Sequence, residues 1–263
     1  MLELSRPNML NAQTEAWRPP LFRPATSNWA RIAAALRRFL DLQATSIWGD
    51  LKVLLAGVRG TLVDVGCGAQ PYRPLLPPGV RYIGLDSAAT ARVFGYSVPD
   101  TLYFEGLVWP LEAGAASCVL CTETLEHIPD PAAFLGEARR CLAPRGLLIL
   151  TVPFAARWHF IHYDYWRFTP SGLDRLLRQS GFDDVAVYAR GNAFTVACYK
   201  NMALILRLAM PQSTSMLQGI ALRLVSLPLL PLLLLLAAAA HLSLRGKGGD
   251  DCLGYTATAA RKA

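Results

Sequence analysis

Apolar positions along the chain fall into two regimes. Across residues 61–188, short runs rich in β-branched and aliphatic residues recur at 61–65, 81–85, 101–104, 117–121, 147–152 and 184–188. Between them, stretches at 132–141 and 171–179 carry apolar residues at helical spacing. Strands alternating with helices predict a parallel sheet covered on both faces. Upstream, Ser27 or Asn28 can cap a helix from Trp29, in which Ile32, Leu36, Phe39 and Leu40 recur at helical spacing beside Arg31, Arg37 and Arg38. A second helix is predicted over 45–58, ending at Gly60. Residues 1–26 are rich in Pro, Asn and Arg, lack periodicity and are expected to form a loose arm. In the second regime, residues 193–244, apolar weight is nearly continuous, and 224–244 contains no Asp, Glu, Lys or Arg.

Composition sharpens this division. The 263 residues are 53% hydrophobic and 17% charged, which excludes a largely disordered chain. Mean hydropathy is +0.29, and the apolar segment supplies the excess. The net charge of +7 raises nucleic acid as a partner, but the basic residues are scattered and no nucleic-acid module is recognisable, so none is expected. No basic stretch followed by an apolar stretch opens the sequence, so no secretory signal is expected and the six cysteines are expected to be reduced. Cys118 and Cys121 form a CxxC inside an apolar run. A strand there would point them to opposite faces, so they read as small core residues and no metal site is expected.

The segment richest in chemistry is Val63-Asp64-Val65-Gly66-Cys67-Gly68-Ala69, a strand running into a tight Gly-x-Gly turn. Such a turn lets a ligand approach the backbone closely at the carboxyl ends of parallel strands. A dinucleotide fold would want a small residue at position 71, where this chain has Pro71, and that disfavours a nicotinamide oxidoreductase. The next strand ends in Asp86, about 20 residues on, where a carboxylate can accept both hydroxyls of a ribose. The third ends in Glu105, so Asp64, Asp86 and Glu105 form a series of acids near successive strand ends.

These residues resemble the class I S-adenosylmethionine-dependent methyltransferases of the small-molecule type. The resemblance runs over 51–188. It takes in Asp64-Val65-Gly66-Cys67-Gly68, Asp86, Glu105 with Trp109-Pro110-Leu111, Thr122-Glu123-Thr124-Leu125-Glu126-His127-Ile128-Pro129-Asp130-Pro131, and Leu142-Ala143-Pro144-Arg145-Gly146-Leu147-Leu148-Ile149-Leu150. It implies an α/β, Rossmann-like, doubly wound sheet of seven strands with the last antiparallel, and S-adenosyl-L-methionine as cofactor. The implied donor residues are Gly66 and Gly68 at the methionine end, Asp86 on the ribose, Glu105, Gly106 and Leu107 on the adenine, and, with no part of the donor assigned, Asp64, Cys67 and Thr122. One departure is Ala116-Ser117, where family members often carry Phe-Asp, and a weakened structural contact is expected there.

After the fifth strand, the segment from Trp158 to Pro170 is dense in aromatic and ionisable residues. It resembles the Asp-Tyr-Trp-Arg-Phe-Thr signature of bacterial methyltransferases associated with cell-surface glycan or lipid-linked pathways. An oxygen acceptor must lose a proton, and His is the usual base. His159 is the first candidate, His127 the second, and Asp164 is grouped with them as catalytic. The alternative is a packed aromatic lid, with Asp164 paired to Arg167 and Thr169 capping the next helix.

The seventh strand is expected at 253–259, which makes 191–250 an apolar helical insertion between the last two strands. A single crossing by 224–244 would put the last strand on the wrong side of a bilayer, so a membrane-contacting hairpin with basic flanks is favoured over two crossings or a buried dimerisation hairpin. The domains then read as 1–50 arm and helices, 51–190 methyltransferase core, 191–250 insertion, and 251–263 last strand and tail. The expected function is methyl transfer to a small or lipid- or glycan-linked acceptor on the cytoplasmic side of a membrane. The alternative is a non-catalytic donor-binding or assembly subunit on the same fold.

Overall fold

Six strands running one way and a seventh, antiparallel one make one sheet in the computed structural model, which describes residues 9–11, 27–95, 97–160, 162–211 and 215–263. The arm expected over 1–26 lies outside the described residues, apart from a 3-10 turn at Met9–Asn11. Strand β1 (Thr61–Val65) is central and buried over four of its five residues, as a strand flanked on both sides and covered on both faces must be. It pairs in parallel with β2 (Arg81–Ser87) and β4 (Ala116–Thr122). Strand β3 (Thr101–Phe104) lies outside β2, and β5 (Leu142–Pro153) outside β4. Strand β7 (Gly254–Arg261) inserts between β5 and β6 (Phe182–Arg190), antiparallel to both, with Ala257 opposite Leu150 on one side and Val187 on the other. The order is β3-β2-β1-β4-β5-β7-β6, with the seven strands and antiparallel last strand that the resemblance implies.

Helices cover both faces. Helices α1 (Asn28–Leu40) and α2 (Leu42–Leu54) precede the sheet, and α3 (Ala88–Phe94) follows β2. Helices α4 (Pro131–Cys141) and α5 (Pro170–Gln179) each start with proline behind a capping side chain, Asp130 and Thr169. Phe134, Leu135 and Ala138 of α4 and Leu173 and Leu177 of α5 share a core with Val65, Val119, Cys121 and Leu150. Ile47 and Leu51 of α2 pack on the other face with Leu62, Cys118, Leu120 and Ile149. Cys118 and Cys121 thus face opposite sides, and all six cysteines are buried free thiols.

Boundaries shift where caps and bulges decide them. The second helix begins at Leu42 rather than 45, because the Asp41 side chain accepts from Ala44 N. Strand β5 starts at Leu142 rather than 147, its register against β4 slipping between Ala116 and Cys118. At Ala116-Ser117, where a weakened contact is expected, Ser117 still links β4 to β1. Ser117 Oγ donates within reach of Arg59 O (2.6 Å) and Thr61 O (2.9 Å), tying β4 to the start of β1.

The insertion is an antiparallel hairpin. Helix α6 (Ala193–Ala209) leaves the sheet, and α7 (Met216–Ser226), a 3-10 turn at Leu227–Leu229 and α8 (Leu230–Ser243) bring the chain back. Thr195 Oγ1 and Ser243 Oγ, 2.8 Å apart, join the two ends beside Asn192. Leu233, Ala237 and Ala240 of α8 pack on Val196, Met202 and Ile205 of α6 and on Leu42 and Leu253. Met216–Ser243 runs for 28 residues and contains an 18-residue stretch of mean hydropathy 2.3, long and apolar enough to cross a membrane by length and composition. Its outer face leaves Met216, Leu217, Leu224, Val225, Leu227 and Leu235 exposed.

Arg190 locks the end of β6. Its buried guanidinium donates to Glu123 Oε1 (2.8 Å), Val152 O (3.1 Å) and Ser46 Oγ (3.2 Å). A Cβ on Gly254 would lie 2.3 Å from Arg190 Nη2 and 2.4 Å from Val152 O. Gly254→Ala is therefore expected to lower stability by about 1–3 kcal/mol through overpacking. Chemical denaturation would show this, and an unchanged midpoint would mean that the end of β7 yields without disturbing Arg190.

Candidate active site

The turn after β1 is built by hydrogen bonds to the end of β2. Gly66 N and Cys67 N both donate to Leu85 O, at 2.9 and 3.1 Å. Gly66 has φ +69, and a Cβ there would fall 2.3 Å from Thr124 Oγ1. Only glycine fits that backbone conformation and that contact. The absence of a side chain brings the loop after β4 directly against the turn after β1.

Two buried carboxylates stand beside this turn. Asp86, 8% exposed, accepts from Gly68 N at 2.9 Å and from Ser87 N at 2.7 Å. Burial raises its pKa, and those two N–H groups oppose the rise. Asp64 is 1% exposed; its Oδ2 accepts from Tyr82 OH at 2.8 Å, and its Oδ1 has no hydrogen-bond partner. Burial pushes the Asp64 carboxyl up to about 7, against the Tyr82 hydrogen bond and with help from the Asp86 charge. Burial, with Asp64 and Asp86 nearby, also raises the Cys67 thiol, so it stays protonated and is no nucleophile. Gln70 braces the turn from below, its Nε2 donating to Thr101 Oγ1 at 2.9 Å and its Oε1 accepting from Arg73 at 2.9 Å.

The remaining donor-side candidates are spread more widely. Glu105 is exposed and paired with Arg92 at 3.0 Å, not drawn into the carboxylate pair. Leu107 is exposed and Gly106 lies in the left-handed region. Thr122, at the end of β4, accepts from Thr124 Oγ1 through its carbonyl at 3.0 Å.

A second cluster joins the loops after β4 and β5. The rings of His127 and His159 meet edge to face, 5.0 Å between centroids. His127 Nδ1 lies 2.7 Å from Tyr163 O, and burial lowers its pKa despite that carbonyl. His159 Nδ1 lies 3.0 Å from Arg157 O and 3.1 Å from Asp164 Oδ2. Burial disfavours the charged His159 ring, but the Asp164 contacts outweigh it and its pKa is raised. Asp164 has a fully buried side chain, gripped by Arg167 at 2.5 and 2.7 Å and by His159 N at 3.1 Å. Its burial is outweighed by His159 and Arg167, which hold it well below the usual carboxylate range. The sequence candidates His127 and His159 are thus together, while Asp164 orients His159 from behind. Thr169 caps α5 by accepting from Gly172 N at 3.1 Å, so this segment is also a packed lid.

Sequence reasoning passed over Glu126, which is 0% exposed and has neither carboxylate oxygen hydrogen-bonded. Burial first, and then Glu123, push its pKa well above the ordinary value. The available signal was the close spacing of Glu123, Glu126 and His127 directly after a strand. Tyr82, Gln70 and Arg190 were missed as well, because each acts through contacts distant in sequence.

A glycine turn at the end of the central strand, an acid at the end of its neighbour and an antiparallel seventh strand define the class I methyltransferase fold. The chain belongs to the methyltransferase domain family, matching it over residues 29–187, and its cofactor class is S-adenosylmethionine. It is similar to a ubiquinone biosynthesis O-methyltransferase of Psychrobacter arcticus, 30% identical over 158 residues, covering 49% of this chain and 60% of that one. A ubiquinone biosynthesis O-methyltransferase of Psychrobacter cryohalolentis is 34% identical over 124 residues, covering 42% and 45%. The matched segments thus span 60% or less of these relatives. In fold, the chain is similar to a Thermotoga maritima SAM-dependent methyltransferase described as a possible histamine N-methyltransferase, with TM-score 0.51, 17% identity and coverage of 88% and 97%.

The raised Asp64 pKa has a consequence for stability. Between its ordinary 3.8 and about 7, the native chain holds a proton that the unfolded chain has released. Asp64's contribution is fully present below the lower value and is lost as pH rises through the upper one. The melting temperature of Asp64→Asn should therefore fall less than that of wild type between pH 5 and pH 8. Parallel melting profiles would contradict this.

Proposed function

We propose that this chain transfers a methyl group from S-adenosylmethionine to an oxygen of a small or lipid- or glycan-linked acceptor, at the cytoplasmic face of a membrane. The observation that carries the reading is the contact of Gly66 with Thr124, which sets the turn hydrogen-bonded to Asp86 against the segment bearing His127. The residues present fit a cationic, ribose-bearing donor. Asp86 keeps acceptor capacity for ribose hydroxyls, and the unpartnered buried Oδ1 of Asp64 suits a positive ligand. Gly66, Cys67 and Gly68 offer backbone at close approach, Thr122 lies beside them, and Glu105, Gly106 and Leu107 form an outer rim toward the adenine. When bound, the donor supplies an electrophilic methyl on a good leaving group. The protein's part is to hold acceptor and donor in line, from which much of the rate can come. His127 and His159 handle the acceptor proton, Asp164 fixes His159, and the aromatic lid excludes water. The relatives' name, O-methyltransferase, supports oxygen as the methylated atom.

The membrane part of the proposal rests on the hairpin's two faces. Its inner face is packed against α2 and Leu253, and its outer face exposes a row of large apolar side chains. Helix α1 adds exposed Trp29, Ile32 and Leu36 beside Arg31, and is tied to α8 by Phe39 stacked 4.9 Å from His241. Arg207, Arg223, Arg245 and Lys247 suit anionic head groups. In domain terms, 51–190 with 251–263 forms the catalytic unit, 191–250 the membrane contact, and helices α1 and α2 bridge them.

Calorimetry should show binding of S-adenosylmethionine and not of NAD. Asp86→Ala should weaken that binding by roughly 1.5–3 kcal/mol, about 10- to 150-fold, for the loss of charge-assisted hydrogen bonds. Comparable affinity for NAD would refute the donor assignment. For the membrane, wild type should float with liposomes containing anionic lipid. Joint replacement of the exposed Leu217, Leu224 and Leu235 by Glu should abolish flotation while leaving donor affinity intact. A triple variant that floats like wild type would remove the hairpin from membrane contact.

A further inference from the structure

Three ligand-bearing side chains converge beside the donor turn, although the sequence reading expects no metal. One ligand atom from each of Glu126, His127 and His159 lies within 4.8 Å of the others. The two imidazoles are held from behind. His127 Nδ1 faces Tyr163 O at 2.7 Å, and His159 Nδ1 faces Arg157 O at 3.0 Å and Asp164 Oδ2 at 3.1 Å. Such acceptors require the proton on Nδ1 and leave each Nε2 with a free lone pair. Metal-ligating histidines are fixed in this way, through a carbonyl or carboxylate on the far ring nitrogen. His127 Nε2 lies 3.7 Å from Glu126 Oε1.

Glu126 supplies the independent observation. It is fully buried, and neither carboxylate oxygen finds a hydrogen-bond donor. A buried carboxylate in that state is costly. Arg167 is bonded to Asp164, and Arg190 to Glu123. The His127 and His159 side chains keep 20% and 23% of their surface exposed, so an ion can reach the cluster from solvent.

We propose that Glu126, His127 and His159 bind a divalent first-row transition cation, with coordination positions left for an acceptor oxygen. Two imidazoles and one carboxylate favour ions such as Mn²⁺ or Zn²⁺ over Mg²⁺ or Ca²⁺. The role of the cation rests on the methyl-transfer reading. With both imidazoles engaged as ligands, the cation replaces them in handling the acceptor proton: it polarises the acceptor hydroxyl, whose proton leaves to solvent. The oxygen then forms its bond to the methyl carbon as the carbon–sulfur bond breaks, giving a methyl ether and a thioether.

The test uses the full-length chain stripped with a chelator and titrated calorimetrically with Mn²⁺, Zn²⁺ and Mg²⁺. Pulsed electron paramagnetic resonance of the Mn²⁺ form reads nitrogen ligands directly. The expected result is one Mn²⁺ or Zn²⁺ per chain, weaker Mg²⁺ binding, and imidazole nitrogen couplings. His159→Ala, on a partly exposed loop, should weaken Mn²⁺ binding at least about tenfold and remove one nitrogen coupling, with S-adenosylmethionine affinity unchanged. Glu126→Gln should weaken Mn²⁺ binding similarly while keeping both nitrogen couplings. Absence of stoichiometric binding, binding unchanged in His159→Ala, or full-rate methyl transfer by the metal-free chain overturns the proposal. Failure of the stripped chain to bind S-adenosylmethionine overturns the methyl-transfer reading instead, because the donor turn shares no residue with the cluster.

Discussion

The loops after β1 and β4 meet where no Cβ can fit. Gly66, in the left-handed region, leaves the space that Thr124 fills. From this contact the rest of the site follows. The turn is pinned to β2 through Leu85 O and reaches Asp86 through Gly68 N. The segment beyond Thr124 carries Glu126 and His127 inward. Glu126's own carbonyl receives Tyr165 N at 2.9 Å, holding the lid after β5 in place. Donor turn, histidine pair and aromatic segment are therefore one mechanical unit, built on neighbouring strands whose carboxyl ends open on the same side of the sheet.

Buried acids in this unit are sorted by their partners. Asp164 is ion-paired and hydrogen-bonded from three directions, and it stays ionised as a structural anchor. Asp64, Asp86 and Glu126 have less compensation, and burial raises all three. Raised carboxylates held in place by a rigid frame favour a positively charged visitor, because the visitor offsets the cost of removing the charge from water. The proposed cationic donor answers this at Asp64 and Asp86, and the proposed metal answers it at Glu126. Perturbed acids clustered at the carboxyl edge of a parallel sheet are the expected signature of a working site.

The insertion solves a different problem with the same economy of contacts. Small residues Ala237 and Ala240 let α8 approach α6 closely, and Leu42 and Leu253 tie the pair to the sheet domain. Both ends of the hairpin return to one place, so β7 can still pair between β5 and β6. The outward leucines contribute nothing to that packing, and covering them is worth roughly 25 cal/mol per Å² of apolar area. A membrane surface is the proposed cover.

Much of this was legible in the sequence because it depends on local pattern. Short β-branched and aliphatic runs and helical spacing marked the strands and helices, and Gly-x-Gly with the acids after it marked the donor turn. The uninterrupted apolar run at 224–244 marked the insertion. Boundaries such as Leu42 and Leu142 moved because a cap and a bulge decided them, not hydrophobicity. Pairing across long separations was beyond the sequence. Glu123 with Arg190, Tyr82 with Asp64 and His127 with His159 are brought together by the sheet, which sets the ends of separate strands side by side. The sequence by itself determined which residues form strands, which turn approaches a ligand and which segment is too apolar for water. The tertiary structure alone decided which charges are buried without partners, because burial and hydrogen bonding depend on neighbours that only the folded chain supplies.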